Sequence, residues 1–515
     1  MKSRTTRTVL ALAIVAGVLG YKFLKPDSDT QAAADKAKTP LAAAPAKPQM
    51  YGALAFQPCN LRSILSHDSV AGQCTTFDVP EDRSKPGGRK VSLNIAWLPA
   101  SNDADAAPDP LFLLAGGPGQ SAVETFPAMA PLLKEIRKRR HVVLVDQRGT
   151  GKSNLLNCKS EDEDADSTDL SAEAMRASAL RCAETLGRQA DLRHYTTTDA
   201  VADLDAVRKA LGAAQINLMG VSYGTRVAQQ YAMRHPQATR SVVLDSPVPN
   251  TIRLGNIFAR NLDDALALQF AQCTKAAACK DKLGDPRAEL DTLLARLRAA
   301  PVNVSFRDAT TGEQRQELLT AETVAGLVRM YAYMPAAGAL LPKLIHEASN
   351  GRYEGLMALA QMMRGSMEDS MATGMQFSVV CSEDRDSMVA RKEDANTVLG
   401  NLMPQSMAAM CAVWPKGNVP ADFNKPLSTA VPALVIAGEF DPVTPPRYGE
   451  EIVKTLPNGR LFVLRGQGHS VIGAGCMPKL FAQFVEKADA KALDGSCLDK
   501  LSYTPPFTSF NGWEP

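Results

Sequence analysis

The stretch INLMGVSYGTRVAQQYAMRHP, residues 216–236, decides the fold. Its first residues are apolar and predict a buried strand, while the residues after Gly224 repeat their apolar positions at helical spacing. Between the two elements lies Gly220-Val-Ser222-Tyr-Gly224. A serine between two glycines at a strand-to-helix turn is the pattern of a nucleophile elbow, in which the small glycines let strand and helix pass closely. The pattern predicts that Ser222 projects above a sheet.

Other strand-like runs and helical patterns alternate along the chain and predict a mostly parallel α/β sheet. Between about 250 and 425 this alternation stops, and the sequence becomes helical and rich in Ala and Met. We therefore predict a core in two parts, residues 51–250 and 426–515, with a helical cap inserted at 251–425. The strand-like runs lie at 91–98, 111–114, 141–145, 216–219, 241–244, 433–437 and 460–464.

The N-terminus has the composition of an export segment. Lys2, Arg4 and Arg7 precede a short uncharged apolar run within residues 1–24, which is typical of a signal peptide. The run is shorter than the roughly 20 residues of a membrane span. The residues that follow this run make a poor cleavage site. A cleaved signal peptide and an uncleaved membrane anchor therefore both remain possible interpretations. Residues 25–50, rich in Ala, Pro and Lys, are interpreted as a flexible linker.

Cysteine usage also favours an oxidising compartment, so we expect a periplasmic or extracellular protein. The chain has ten cysteines, an even number, in locally spaced couples. The simplest connectivity joins nearest neighbours, and free buried thiols are the alternative. The couples are Cys59 with Cys74, Cys158 with Cys182, Cys273 with Cys279, Cys381 with Cys411, and Cys476 with Cys497.

A serine hydroxyl needs a general base before it can attack, and two loops after later strands supply candidates. Asp441 follows the strand-like run 433–437, and His469 follows the run 460–464. The order Ser, acid, His is the order of this architecture. We predict Ser222 as nucleophile, His469 as general base and Asp441 as the residue that orients the imidazole. Glu439 and Asp245 are the rival acids.

A glycine-rich loop after the strand-like run 111–114 is a candidate oxyanion hole. Backbone N–H groups at Gly117, with Gly116 as the alternative, would act together with the N–H of Tyr223. The sequence ending in Gly-Lys-Ser at 151–153 imitates a phosphate-binding loop, but Asp146 occupies a position where that motif requires glycine. A carboxylate there would repel phosphate, which excludes a nucleotide-binding reading.

The motifs AGGPGQS, DQRGTGKSN, GVSYGTRVAQQYAMRHP, ALVIAGEFDPVTP and GQGHS resemble those of the proline iminopeptidase and tripeptidyl aminopeptidase group of serine peptidases. The likeness covers most of residues 80–480. It implies an α/β-hydrolase fold and release of residues from the free N-terminus of peptides, without a metal or cofactor. Ala115 stands where proline iminopeptidases usually carry His, which weakens the case for strict proline specificity.

The resemblance also implies carboxylates that bind the protonated α-amine of the substrate. The stretch around Cys381 is similar to a Cys-x-x-Asp/Glu stretch of these enzymes and points to Glu383, with Asp384 as the alternative. A solvated charge cluster is the competing reading. The methionines before it are interpreted either as a pocket lining or as packing between cap and core: Met357, Met362, Met363, Met367, Met371 and Met375.

Composition narrows the functional classes further. The chain has 57 basic and 55 acidic residues, a net charge of +2, which gives no electrostatic footprint for nucleic acid. Three classes remain: an exported aminopeptidase whose cap filters substrates by size, a carboxylesterase or lipase-like hydrolase with the same triad, and a non-catalytic binding protein of the same fold. The third is discounted because no catalytic part is missing. The sequence does not determine the oligomeric state.

Overall fold

A ten-stranded sheet organises the computed structural model, which describes residues 47–64, 69–158, 171–255, 257–308, 311–368 and 371–511. The predicted export segment at 1–24 lies outside the described residues, as does nearly all of the linker. The strands are β1 (Gln49–Tyr51), β2 (Leu54–Arg62), β3 (Ser69–Pro80), β4 (Lys90–Leu98), β5 (Leu111–Leu114), β6 (Val142–Val145), β7 (Ile216–Val221), β8 (Thr239–Asp245), β9 (Val302–Arg307), β10 (Gln314–Leu319), β11 (Ala433–Gly438) and β12 (Gly459–Leu464).

The sheet has the order β1-β2-β3-β4-β6-β5-β7-β8-β11-β12. Neighbours from β1 to β4 pair antiparallel, as do β4 and β6, whereas every pair from β6 to β12 is parallel. The predicted mostly parallel α/β sheet is therefore confirmed. The antiparallel strands β1, β2 and β3 were not predicted from the sequence.

The central strands are buried on both faces. Leu218 of β7 belongs to the apolar cluster on one face of the sheet, and the next residue, Met219, belongs to the cluster on the other. Alternation of this kind follows from the period of two in a strand. Because both faces are covered by helices, these strands read as continuous apolar runs in the sequence.

The helices are α1 (Ala122–Thr125), α2 (Ala172–Gly187), α3 (Thr197–Ala210), α4 (Tyr223–Arg234), α5 (Phe258–Lys275), α6 (Ala277–Leu283), α7 (Pro286–Ala299), α8 (Ala321–Ala332), α9 (Pro335–Gly338), α10 (Leu341–Ser349), α11 (Glu354–Glu368), α12 (Thr373–Glu383), α13 (Leu402–Val413), α14 (Pro446–Val453) and α15 (Met477–Lys487). Short 3₁₀ turns lie at Asp103–Asp105, Phe126–Leu133, Ile136–Lys138, Leu192–His194, Pro236–Ala238, Arg385–Ser387, Lys392–Asp394 and Ser496–Lys500. No helix of the part described is long and apolar enough to cross a membrane.

The chain between β8 and β11 forms an insertion, since these two strands pair directly with each other. It contains α5 to α13 and the hairpin of β9 and β10, which pair antiparallel outside the main sheet. Much of the insertion packs around an apolar core of its own, to which Leu266, Leu294 and Val324 belong. The hairpin was not expected from the helical character of this stretch.

Five disulfides join the ten cysteines. Each bond links neighbours along the chain: Cys59–Cys74, Cys158–Cys182, Cys273–Cys279, Cys381–Cys411 and Cys476–Cys497. No cysteine is left free. The bond between Cys381 and Cys411 ties α12 to α13 beside the predicted acidic stretch.

Candidate active site

Ser222 occupies a strained turn between β7 and α4. Its φ is 55° and its ψ is −122°, a conformation that L-residues other than glycine rarely adopt. The flanking glycines are needed for space: a Cβ on Gly220 would come within 2.2 Å of the Gly224 carbonyl oxygen, and one on Gly224 within 2.3 Å of the Leu114 carbonyl oxygen. The turn therefore exists only because positions 220 and 224 lack side chains.

Asp441 and His469 form a pair on the loops that follow β11 and β12. The imidazole Nδ1 lies 2.8 Å from Oδ2 of Asp441. The carboxylate also accepts hydrogen bonds from the backbone N–H groups of Val443 and Thr444, at 2.9 and 2.8 Å, and from the Thr444 hydroxyl at 2.8 Å. A carboxylate bound at Nδ1 fixes the proton there and leaves Nε2 free to act as a base.

The pair also shifts the pKa values of both partners. Burial favours the neutral forms, but the charges oppose it: His469 and the backbone donors hold the pKa of Asp441 below its usual range, and Asp441 raises the pKa of His469 above its usual range. Asp441 is 1% exposed, so its negative charge acts in a poorly solvated place. This arrangement stabilises an imidazolium when one forms.

The two rival acids have other partners. Glu439 accepts a hydrogen bond from the N–H of Gly466 at 2.7 Å and another from the Tyr503 hydroxyl at 3.2 Å. Asp245, at the end of β8, accepts from the N–H groups of Val471 and Ile472 at 2.9 and 3.0 Å. Asp245 thus holds the loop that carries His469, and burial raises its pKa to about 6.

The insertion reaches the histidine loop through Tyr333, a residue that the sequence did not single out. The Tyr333 carbonyl accepts the N–H of His469 at 2.8 Å, and the two rings pack edge to face with centroids 5.1 Å apart. A Cβ on Gly468 would lie 2.1 Å from the same carbonyl. The glycine before His469 therefore permits a close backbone contact with the insertion.

The predicted oxyanion loop lies beside the elbow. A Cβ on Gly116 would come 3.2 Å from Cβ of Ser222, and Gly117 has a φ of 105°. Within the described chain, the N–H groups of Gly117 and Tyr223 donate no hydrogen bond to another backbone group. Asp146 braces this loop, because it accepts hydrogen bonds from the Ser121 hydroxyl at 2.6 Å and the Val123 N–H at 3.0 Å.

Ser222, Asp441 and His469 all lie at the carboxyl ends of parallel strands, where ligands bind in open α/β sheets. Strands β11 and β12 are neighbours in the sheet, and β8 separates β11 from β7. The described residues contain no hydrogen bond between Ser222 and the His469 ring. Such bonds are often long in unliganded enzymes and tighten when substrate binds.

A cavity of about 270 Å³ opens at Ser222, between the core and the insertion. Its lining is mainly apolar and aromatic, and its charged members are Arg226 and Arg329. Among the side chains described, none of the methionines singled out from the sequence lines it; Met357 packs in the insertion core and Met375 in the main core. The cavity is lined by Gly117, Pro118, Ser222, Tyr223, Arg226, Val248, Leu254, Gly255, Phe258, Arg329, Tyr333, Gln376, Val380, Met388, Met403, Met407 and Val443.

Glu383 and Asp384 are buried beside this cavity but do not line it. Asp384 accepts a hydrogen bond from Nη1 of Arg226 at 2.9 Å, and Glu383 accepts from the N–H and hydroxyl of Thr197 at 2.7 and 3.0 Å. Burial raises the pKa of Glu383 to about 7. The alternative of a solvated charge cluster is wrong, because both carboxylates are buried in an ion-paired network.

Several known proteins are similar to this chain. A family model described as the alpha/beta hydrolase fold matches residues 109–473. The serine protease Hip1 of Mycobacterium tuberculosis is 27% identical over 466 residues, which cover 84% of this chain and 88% of that protein. The tripeptidyl aminopeptidase of Streptomyces lividans is 26% identical over 438 residues, 78% of each chain. The crystal structure of a Mycobacterium smegmatis proline iminopeptidase matches with a TM-score of 0.36 and 18% identity, over 81% of this chain and 100% of that one.

Proposed function

The chain belongs to the α/β-hydrolase family, and we propose that it is an exported serine aminopeptidase that releases N-terminal residues from short peptides. The observation that carries the proposal is the strained Ser222 turn at the same sheet edge as the Asp441–His469 pair. The names of two relatives, a serine protease and a tripeptidyl aminopeptidase, support the choice of peptides as substrates.

In the proposed reaction, Ser222 Oγ attacks the carbonyl carbon of the scissile bond while Nε2 of His469 takes the hydroxyl proton. The N–H groups of Gly117 and Tyr223 stabilise the oxyanion that forms. His469 then gives its proton to the leaving amine, and the acyl group stays on Ser222. A water molecule, deprotonated by His469, attacks the acyl-enzyme and releases the acid.

Recognition of the substrate α-amine is assigned to Glu383 or Asp384. These are buried carboxylates next to the cavity wall, and Arg226 occupies the space between them and the cavity. An amine would therefore contact them only if the Arg226 side chain moved. Loss of discrimination between free and N-blocked peptides in Glu383→Gln or Asp384→Asn would support this role, and unchanged discrimination in both would contradict it.

Export and a domain division are part of the proposal. Five disulfides support an oxidising compartment. We assign residues 51–250 and 426–515 to the catalytic core and 251–425 to a cap that limits the size of the substrate. The cavity between insertion and core supports such a filter.

The nucleophile is tested by Ser222→Ala, with the exposed Ser305→Ala as the matched control. We expect Ser222→Ala to lose labelling by a fluorophosphonate probe and to lose at least about 10⁴-fold in turnover of peptide arylamides, because the acyl-enzyme cannot form. Ser305→Ala should be labelled like the unaltered protein. Labelling that persists in Ser222→Ala would identify a different nucleophile.

A carboxylesterase is the second candidate function. It is favoured by one observation: among the described residues, the cavity lining contains no carboxylate that could bind an amine. Rates on aminoacyl arylamides, on their N-acetylated forms and on matched aryl esters separate the two functions. A clear preference for the free amine supports the aminopeptidase, whereas equal rates on free and blocked substrates with faster ester cleavage support the esterase.

A further inference from the structure

The charges that line the cavity are unbalanced. Arg226 and Arg329 both line it, and no described acidic residue does. The charge of Arg226 is balanced by carboxylates outside the cavity, because its Nη1 donates to Asp384 and lies 3.7 Å from Oε2 of Glu383. Arg329 has no carboxylate within ion-pair distance anywhere in the described chain. It therefore leaves a net positive charge in the cavity.

Arg329 is half-buried and lies among aromatic rings. Its guanidinium carbon is 5.3 Å from the ring centroid of Phe258 and 5.7 Å from that of Tyr333, and Nη2 donates to the Tyr333 hydroxyl at 3.1 Å. These contacts orient a planar group that carries five N–H donors, and among the described residues only Nη2 has an acceptor. A partly desolvated guanidinium of this kind binds carboxylates strongly, often through two parallel hydrogen bonds.

Arg226 provides a second, independent observation. This side chain is fully buried, and its Nη2 donates to the Ile252 carbonyl at 2.6 Å. Its Nε, however, is buried and has no hydrogen-bond partner among the residues that the structure describes. Buried polar atoms without a partner are uncommon and costly, so the cavity wall contains an unmet N–H donor in addition to an unpaired cation.

The unpaired cation lies close to the catalytic groups. Tyr333, which receives the hydrogen bond of Arg329, also packs its ring against His469 and accepts the N–H of that residue. Arg329 and the imidazole are therefore separated by one side chain. Because Arg329 and Ser222 line the same cavity, one substrate can contact both.

We propose that the cavity binds a carboxylate of the substrate through Arg329, so that the enzyme prefers peptides that carry an acidic group near the scissile bond. The inference rests on the proposed function, since it names the substrate class of the Ser222 site. The carboxylate has two sources: an acidic side chain in the acyl part of the substrate, or the C-terminal carboxylate of a short leaving peptide.

Matched substrate pairs that differ only in this charge test the proposal. The acyl arm compares Ala-Ala-Glu with Ala-Ala-Gln and Ala-Glu-Ala with Ala-Gln-Ala, each as a coumarin amide. The leaving-group arm compares Ala₄ as a free acid with Ala₄ amide. If amides are not cleaved at all, the aminopeptidase proposal fails, and the same question is asked with aryl esters of glutaric acid and glutaramic acid.

We expect kcat/KM to favour the carboxylate member of at least one pair by about 10- to 100-fold, the range of one charge-assisted hydrogen bond. Arg329→Gln should reduce that ratio to near one, and Arg329→Lys should retain part of it. Arg296→Gln is the matched control, because Arg296 is an exposed arginine of the insertion that lies over the Tyr353 ring, outside the cavity.

Each result decides the proposal. A charge preference that Arg329→Gln removes and Arg296→Gln preserves supports it, and the arm in which the preference occurs identifies the source of the carboxylate. Equal rates within every pair for the unaltered enzyme overturn it, whatever the variants do. A preference that survives in Arg329→Gln, with fluorophosphonate labelling intact, also overturns it.

Discussion

At the scale of single residues, the best-defined chemistry is the contact between Asp441 and His469. The carboxylate is surrounded by four donors, three of them from Val443 and Thr444, and therefore cannot rotate away from the ring. Its pKa is held low even though burial opposes ionisation. The negative charge is thus present before substrate arrives, and no reorganisation is needed when the imidazolium forms.

Replacement of Asp441 by Asn tests this role. We expect Asp441→Asn to lower kcat by about 10⁴-fold, because the amide can hold the imidazole in the wrong tautomer and cannot stabilise its charged form. Asp441 raises the pKa of His469. The remaining activity should therefore have its acid limb at lower pH than that of the unaltered enzyme. Steady-state rates of arylamide or ester cleavage across pH 5–9 measure both effects.

Glu439→Gln is the control for this experiment, since Glu439 is a nearby carboxylate on the same loop that binds Gly466 rather than the histidine. We expect it to lose less than about 10-fold. If Glu439→Gln were as inactive as Asp441→Asn, or if Asp441→Asn kept most of its activity, the assignment of the acid would be wrong.

At the scale of elements, the elbow depends on how closely β7, α4 and β5 approach one another. Gly220 faces the Gly224 carbonyl, and Gly224 faces the Leu114 carbonyl at the end of β5. These atoms belong to backbone that cannot move aside like a side chain. The three elements can therefore meet only where side chains are absent, which is why the sequence pattern predicts the geometry so well.

Gly220→Ala tests this close approach, and Gly326→Ala is its matched control. A Cβ at 220 would lie 2.2 Å from a carbonyl oxygen, whereas nothing lies within 4 Å of a Cβ at 326, inside α8. We expect Gly220→Ala to lower the free energy of unfolding by about 1–3 kcal/mol or more through overpacking and to displace Ser222. Gly326→Ala should raise it by about 0.5–1 kcal/mol, as in helix interiors.

Urea denaturation and fluorophosphonate labelling rates measure these two outcomes. The contrast is sharp because the same methyl group is added in both variants. A Gly220→Ala protein as stable and as readily labelled as the unaltered one would mean that the elbow does not have the observed geometry.

At the scale of the whole molecule, the parts of the fold that follow from the sequence are those with local signals. The buried parallel strands were predictable because continuous apolar runs mark them. The loops that carry Ser222, Asp441 and His469 were predictable because glycines and strand ends mark these loops. Strands β2 and β10 were not predictable, because polar and exposed residues interrupt the apolar pattern of a strand. Such strands are identified by their partners in the sheet, which sequence alone does not supply.

The cavity was the least predictable part of the site. Arg329 and Tyr333 come from the insertion, far from the elbow in sequence, and no motif surrounds them. Glu383 and Asp384 were singled out from a motif, but their burial and their contact with Arg226 depend on tertiary packing. Spacing along one chain predicts which residues share an element, whereas the sign of the charge that faces a cavity depends on which elements meet there.

The buried acids predict how the stability of the molecule depends on pH. Burial raises the pKa of Glu383 to about 7, from 4.5 in an unfolded chain, so the folded state binds this proton more tightly. The stability that protonation contributes is complete below about pH 4.5 and is lost as the pH rises through 7. Asp245, with its pKa raised to about 6, acts in the same direction. Burial lowers the pKa values of His141 and His235, so these two groups make the folded state more stable as the pH rises.

Comparison with Glu383→Gln isolates the contribution of this one group. The amide keeps the volume and one acceptor oxygen but does not titrate, so the unaltered protein should lose stability relative to the variant between pH 4.5 and 8, by on the order of 3 kcal/mol. Urea denaturation at closely spaced pH values gives the difference curve. The exposed Glu184→Gln is the control for loss of a carboxylate, and its difference curve should be much shallower. Parallel curves for the unaltered protein and Glu383→Gln would contradict the raised pKa of Glu383.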